Sequence, residues 1–135
     1  MMHLPMRRLS AALTGGAVGG LANSLALWLA VSSGFAAALG VSLAPQFSPQ
    51  WLYPRVVWGG LWGLLLLLPL RLPSVVARGL LLGLAPALVQ LVVVFPLKTT
   101  AGIFGLGLGT WTPLLVLLFN AAWGLTAAFW YENAR

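Results

Sequence analysis

Four stretches of the sequence are apolar almost without a break: residues 10–33, 51–70, 74–95 and 110–130. They are continuous runs rather than ten-residue segments of alternating character, which predicts helices and not the strands of a barrel. At 1.5 Å per residue, about 20 residues suffice to cross a hydrocarbon core of ~30 Å. The pattern therefore predicts an all-α, polytopic integral membrane protein, a four-transmembrane-helix bundle forming one domain over residues 1–135.

Helix breakers separate these runs. Pro69 and Pro73 flank Arg71 between the second and third, and Pro96, Lys98 and Gly102 lie between the third and fourth. Pro113 falls where a fourth helix begins and its missing amide proton costs nothing, whereas Pro86 lies inside the third run and predicts a kink. Residues 34–51 and 101–109 are too apolar for ordinary exposed loops, and the reading adopted for both is helix extension or interfacial packing rather than a re-entrant segment.

The halves of the chain echo one another. Residues 16–25, GAVGGLANSL, align with residues 79–88, GLLLGLAPAL, and place Asn23 opposite Pro86. The approaches to the second and fourth helices also correspond, with an aromatic, a proline and a cation at residues 53–55 and again at 95–98, followed by Trp62 and Trp111 respectively. A duplication of this kind gives two two-helix pseudo-repeats in the same orientation.

Composition sharpens the class. The chain is 61% apolar and 6% charged, against roughly 25% charged residues in soluble domains. The net charge of +6 comes from seven Lys and Arg set against Glu132 alone. These cations stand mostly singly at the ends of apolar runs, the arrangement of headgroup anchors and not of a nucleic-acid-binding face. With four crossings, Arg7, Arg8, Arg71, Arg78 and Arg135 share one side, and Arg55 and Lys98 the other. The positive-inside bias then puts both termini in the cytoplasm of a prokaryotic-type inner (plasma) membrane. Arg7 and Arg8 precede an apolar run too long for a signal-peptide core, so an uncleaved first helix is expected.

The inventory of reactive groups is small. There is no cysteine, Glu132 is the one side-chain carboxylate and His3 the one imidazole. Paired carboxylates, a Ser-His-Asp set, a metal cluster and a titratable group within a span are all missing, which argues against an enzyme, a cofactor or metal site, and ordinary proton coupling. What the spans do carry is Asn23 with Ser24, Gln90 and Asn120. In hydrocarbon such groups require partners, and they read either as interhelical clamps or as the lining of a polar pathway. Arg55 and Lys98 read either as headgroup anchors or as cations of an outer vestibule that attracts anions.

Gly15, Gly16, Gly19 and Gly20 form two overlapping small-xxx-small pairs, and Gly59, Gly60 and Gly63 supply a counterpart in the second helix. Trp51, Trp58, Trp111, Trp130, Tyr53 and Tyr131 fall near helix ends as in interfacial belts, while Trp28, Trp62 and Trp123 are expected to pack inside. Four short helices enclose little volume, so a homo-oligomer meeting along glycine faces is expected in the lipid bilayer. The functional expectation is a channel-like or transport component for an uncharged or anionic solute. Its rival is a non-conducting structural, lipid-organising or accessory subunit of a larger membrane complex.

Overall fold

The computed structural model describes residues 5–45 and 47–135, so His3 lies outside the described residues. Among them the regular secondary structure is all helical, with no strand. The principal helices are α1 (Met6–Ser32), α3 (Pro49–Trp62), α4 (Val75–Val89) and α6 (Thr112–Ala134), with two four-residue turns, α2 (Phe35–Ala38) and α5 (Phe95–Lys98). A π-helical turn, Gln90–Val94, fuses α4 and α5. Three helices are long and apolar enough to cross a membrane: Met6–Ser32, Val75–Lys98 and Thr112–Ala134.

The second expected span differs. After Trp62 its helix tightens into a 3₁₀ turn, Gly63–Leu67, and stops. Pro69 supplies the reason, because a residue before proline is pushed out of the α region, and Leu68 is extended at φ −65°, ψ 133°. The start is equally well specified: Ser48 caps the helix by accepting from the Trp51 amide at 3.2 Å, with Pro49 in the first turn. Ser74 caps α4 in the same way, accepting from Ala77 N at 3.0 Å.

The helices form a row in the order α3, α1, α6, α4, each packed on the next, while α3 and α4 make no extensive contact with each other among the described residues. The glycines set this order. In α1, Gly15 and Gly19 face α6, where added Cβ atoms would lie 2.9 Å from Ala127 O and 2.7 Å from Trp123 O. Gly16 and Gly20 face α3, and Cβ atoms there would lie 2.7 Å from Gly63 Cα and 2.7 Å from Arg55 O. The overlapping pairs thus serve two different neighbours, and α1 is central because it has two glycine faces. Gly59 and Gly63 answer from α3, while Gly60 meets Leu13 O more loosely, at 3.2 Å from an added Cβ. These contacts lie within one chain.

The second hairpin repeats the device. Cβ atoms at Gly79 and Gly83 of α4 would lie 2.8 Å from Gly124 O and 2.6 Å from Asn120 O of α6. Gly16 and Gly79, matched by the sequence echo, therefore occupy corresponding crossings, as do Gly20 and Gly83. The correspondence continues in the partner helices differently from the sequence expectation: Trp62–Gly63 matches Trp123–Gly124, not Trp111. The two hairpins are not used alike, since α1 packs on α6 whereas α3 and α4 stand apart.

Pro49–Trp51 extend the second helix backward, whereas residues 34–45 and 101–109 do not prolong their neighbours. They hold α2, an extended stretch and a 3₁₀ turn (Ile103–Leu108), packed on each other through Ser42 N to Leu108 O at 2.8 Å. Ala36 and Val41 close over Leu27, Ala30, Leu115 and Phe119 at that end of the row. At the opposite end Arg7 Nε donates to Ala134 O at 3.4 Å, which brings the start of α1 to the end of α6. There Arg78 donates to the carbonyls of Leu66, in the 3₁₀ turn, and of Leu68 just after it. Tyr131 is buried beneath the guanidinium groups of Arg78 and Arg135, not displayed in a belt.

Candidate functional site

Because the outer helices do not meet, a groove of about 460 Å³ opens between them. Its floor is Gly20 and Asn23 of α1 with Asn120 and Trp123 of α6. One wall is α3, through Pro54, Arg55, Trp58 and Trp62, and the other is the α4 helix, through Pro86, Val89, Gln90 and Val94.

Local sequence shapes both walls. Pro54 and Pro86 each sit inside a helix and remove one backbone donor. In the α4 wall, Pro86 and Pro96 bracket the π-helical turn, each deleting a rung of the regular ladder, and the backbone between them relaxes to i→i+5 bonding. Gln90 is the first residue of that turn.

Polar side chains from all four main helices meet along the floor. Arg55 Nη2 donates to Asn23 Oδ1 at 2.7 Å and Arg55 Nε to Ser24 Oγ at 2.9 Å. Ser24 Oγ in turn donates to Gly20 O at 2.8 Å. Asn23 Nδ2 reaches Asn120 Oδ1 at 3.5 Å, and Asn120 Nδ2 reaches Gln90 Oε1 at 3.4 Å and Val116 O at 2.9 Å. The charge-assisted bonds of Arg55 are short and strong, and the amide–amide bonds are at the long limit. Arg55 also lies over the Trp51 ring, 4.6 Å from its centroid.

This chain of bonds has a direction. Arg55 donates to Asn23, Asn23 to Asn120, and Asn120 to Gln90, so each carbonyl oxygen is taken by the donor before it. Donor character is left over at both walls, beside one spare lone pair on each amide oxygen. A guanidinium has five N–H groups, of which one on Nε and one on Nη2 are matched, and Nη1 has no protein acceptor among the described residues. The Gln90 amide nitrogen is likewise free among the described residues. No carboxylate answers the charge, because Glu132 lies near the far end of α6, paired with Arg135 at 3.1 Å.

The structure thus gathers Asn23, Ser24, Gln90, Asn120 and Arg55 into one site. It leaves Lys98 outside: exposed at the end of α5, it does not line the groove. Of the three tryptophans expected inside, Trp123 is buried, Trp62 lines the groove and Trp28 is 44% exposed. Trp123 Nε1 donates to the carbonyls of Gly16 and Gly59 at 3.1 and 3.3 Å, pinning α6 across the α1–α3 crossing. Sequence reading did not anticipate that contact, though the Trp-Gly pair shared by residues 62–63 and 123–124 was available as a signal. Compared with known proteins, the chain matches no family model, no curated protein and no solved structure.

Proposed function

We propose that this chain is an integral membrane protein with four spans, and that it is a binding and transport component for an anionic solute held in the α3–α4 groove. The observation that carries the reading is the cation on the α3 wall of the groove: Arg55 is fixed by Asn23 and Ser24, has no carboxylate partner, and shares the groove with the free amide donor of Gln90. Free donors on both walls, one of them charged and without a counter-charge, favour a ligand that brings acceptors and negative charge. This selects the anionic branch of the expected solutes over the uncharged one, and it leaves no general acid or base for an enzyme reaction.

Four spans are supported by length. Pro49–Trp62 at 1.5 Å per residue, continued by Gly63–Leu67 at about 2 Å, gives roughly 31 Å, close to the hydrocarbon thickness. Arg7, Arg78 and Arg135 fall at the end of the row where α1 begins and α6 ends, which favours cytoplasmic termini. α1 and α6 pack closely through Gly15 and Gly19, which favours a solute path along the groove. The same feature favours a second reading, a non-conducting lipid-organising module, because a groove between flanking helices faces the lipid.

Cysteine scanning separates the two. The chain has no native cysteine, and single cysteines replace Asn23, Gln90 or Leu25 in liposomes. A water-soluble thiol reagent is expected to label the first two and spare Leu25, 53% exposed on the outer face of α1, with anion flux above that of empty vesicles. Inert Asn23 and Gln90 positions together with background flux contradict the transport reading.

A further inference from the structure

We infer that the groove's ligand is an amphiphile, with an oxyanion head on a single apolar chain, that enters sideways from the bilayer between α3 and α4. The inference rests on the anion-binding reading of the groove and names the class of anion.

Three features of the groove favour an amphiphile over a small soluble anion. The first is size. At about 460 Å³ the groove falls within the range of organic-ligand sites. The second is the split in chemistry. The donors cluster at Arg55 and Gln90, while Trp58, Trp62, Val89 and Val94 supply walls that are apolar apart from the two indole N–H groups. The third is the direction of access. The flanking helices stay apart along the groove, and Trp58 at its lip is 63% exposed.

The head would sit at the guanidinium. Nε and one Nη2 proton are held by Ser24 and Asn23, which fixes the plane of the fork and leaves Nη1 with the second Nη2 proton for a two-point contact to a carboxylate or phosphate ester. Arg55 lies six residues into α3, about 9 Å from its start. A head bound there is below the helix end, and its chain has the aromatic wall of Trp58 and Trp62 to run along. A lipid-soluble acid reaches that depth without shedding a full hydration shell, which a free inorganic anion must do.

The test uses full-length protein in phosphatidylcholine nanodiscs, with tryptophan fluorescence quenched by a brominated fatty acid, its methyl ester as control, and inorganic phosphate titrated separately and read by thermal shift. Saturable quenching by the acid is expected, with Arg55→Gln weakening it by about tenfold or more through loss of the charge-assisted pair, and the ester binding no better than to the variant. Arg55→Lys, which keeps charge but loses the fork, is expected to fall between, and it carries the test if Arg55→Gln does not fold. Equal quenching by acid and ester in both proteins overturns the inference as mere apolar partition. Arg55-dependent stabilisation by phosphate without saturable quenching by the acid also overturns it, while leaving the anion-binding reading intact. If neither probe responds to Arg55, both readings fall.

Discussion

The guanidinium of Arg55 on α3 donates to the side-chain oxygen of Asn23 on α1 at 2.7 Å, and Asn23 passes a hydrogen bond on toward Asn120 of α6. A cation and an amide that sequence distance separates by 32 residues thus form the head of one polarised track. Hydrogen bonds to charged groups contribute about 1.5–3 kcal/mol. Asn23→Ala is expected to lower unfolding stability in detergent by that amount, and Arg55→Gln by a similar one. Because the two residues share one interaction, the double variant is expected to lose clearly less than the sum. Additive losses would mean that the pair is not coupled.

The glycine crossings give a graded expectation. A methyl at Gly16 would fall 2.7 Å from Gly63 Cα, where only backbone can yield, whereas one at Gly60 would meet its nearest atom at 3.2 Å. Gly16→Ala is expected to destabilise by about 1–3 kcal/mol through overpacking. Gly60→Ala is expected to stay within about 1 kcal/mol of wild type, since improved helix propensity offsets a mild contact. Thermal unfolding of both variants in one detergent gives the ranking, and equal losses would contradict the assignment of Gly16 to the close contact.

Trp123 and Trp28 look alike in sequence, each within an apolar run, and the structure separates them. Trp123→Phe deletes the indole N–H shared by Gly16 and Gly59 carbonyls and is expected to cost about 1 kcal/mol. Trp28→Phe, on an exposed face, is expected to change stability by no more than about 0.5 kcal/mol. The comparison is read from denaturation midpoints. Equal effects would show that Trp123 is held by packing alone.

Much of this arrangement was legible in the residues and some was not, for identifiable reasons. Apolar run length placed α1, the fused α4–α5 helix and α6 to within a few residues, and the cost of leaving an amide unpaired in an apolar interior is the reason to expect Asn23 and Asn120 to face other helices. The paired glycines announced close packing, but spacing alone does not say that Gly15 and Gly16 address different neighbours, which follows from the 100° between consecutive residues. The early end of α3 was written in Pro69, although hydropathy continued to Leu70 and masked it. Arg55 stood at the mouth of an apolar run, where anchoring at headgroups is the ordinary outcome. Its turn toward Asn23 depends on the rotation of α3 about its axis, which the Gly59 and Gly63 contacts fix and the local pattern does not. Lys98 has no such constraint and stays outside.

Arg78 closes the opposite end of the row by donating to the carbonyls of Leu66 and Leu68, which the 3₁₀ turn leaves without helical partners. Arg78→Ala is expected to cost about 1–3 kcal/mol and to raise hydrogen exchange across residues 63–68. Unchanged exchange there would show that the cap is dispensable.

Whether Arg55 holds an anion in the groove is tested most directly by thermal unfolding of the detergent-purified protein, wild type against Arg55→Gln, across a titration with octanoate. Binding to the folded state alone stabilises by about 2.7 kcal/mol at a hundredfold excess over Kd. The expected result is a saturating rise in Tm for the wild type and none for the variant. A rise of equal size in both proteins, or no rise in either with octanoate or with inorganic phosphate, would contradict an anion site at Arg55.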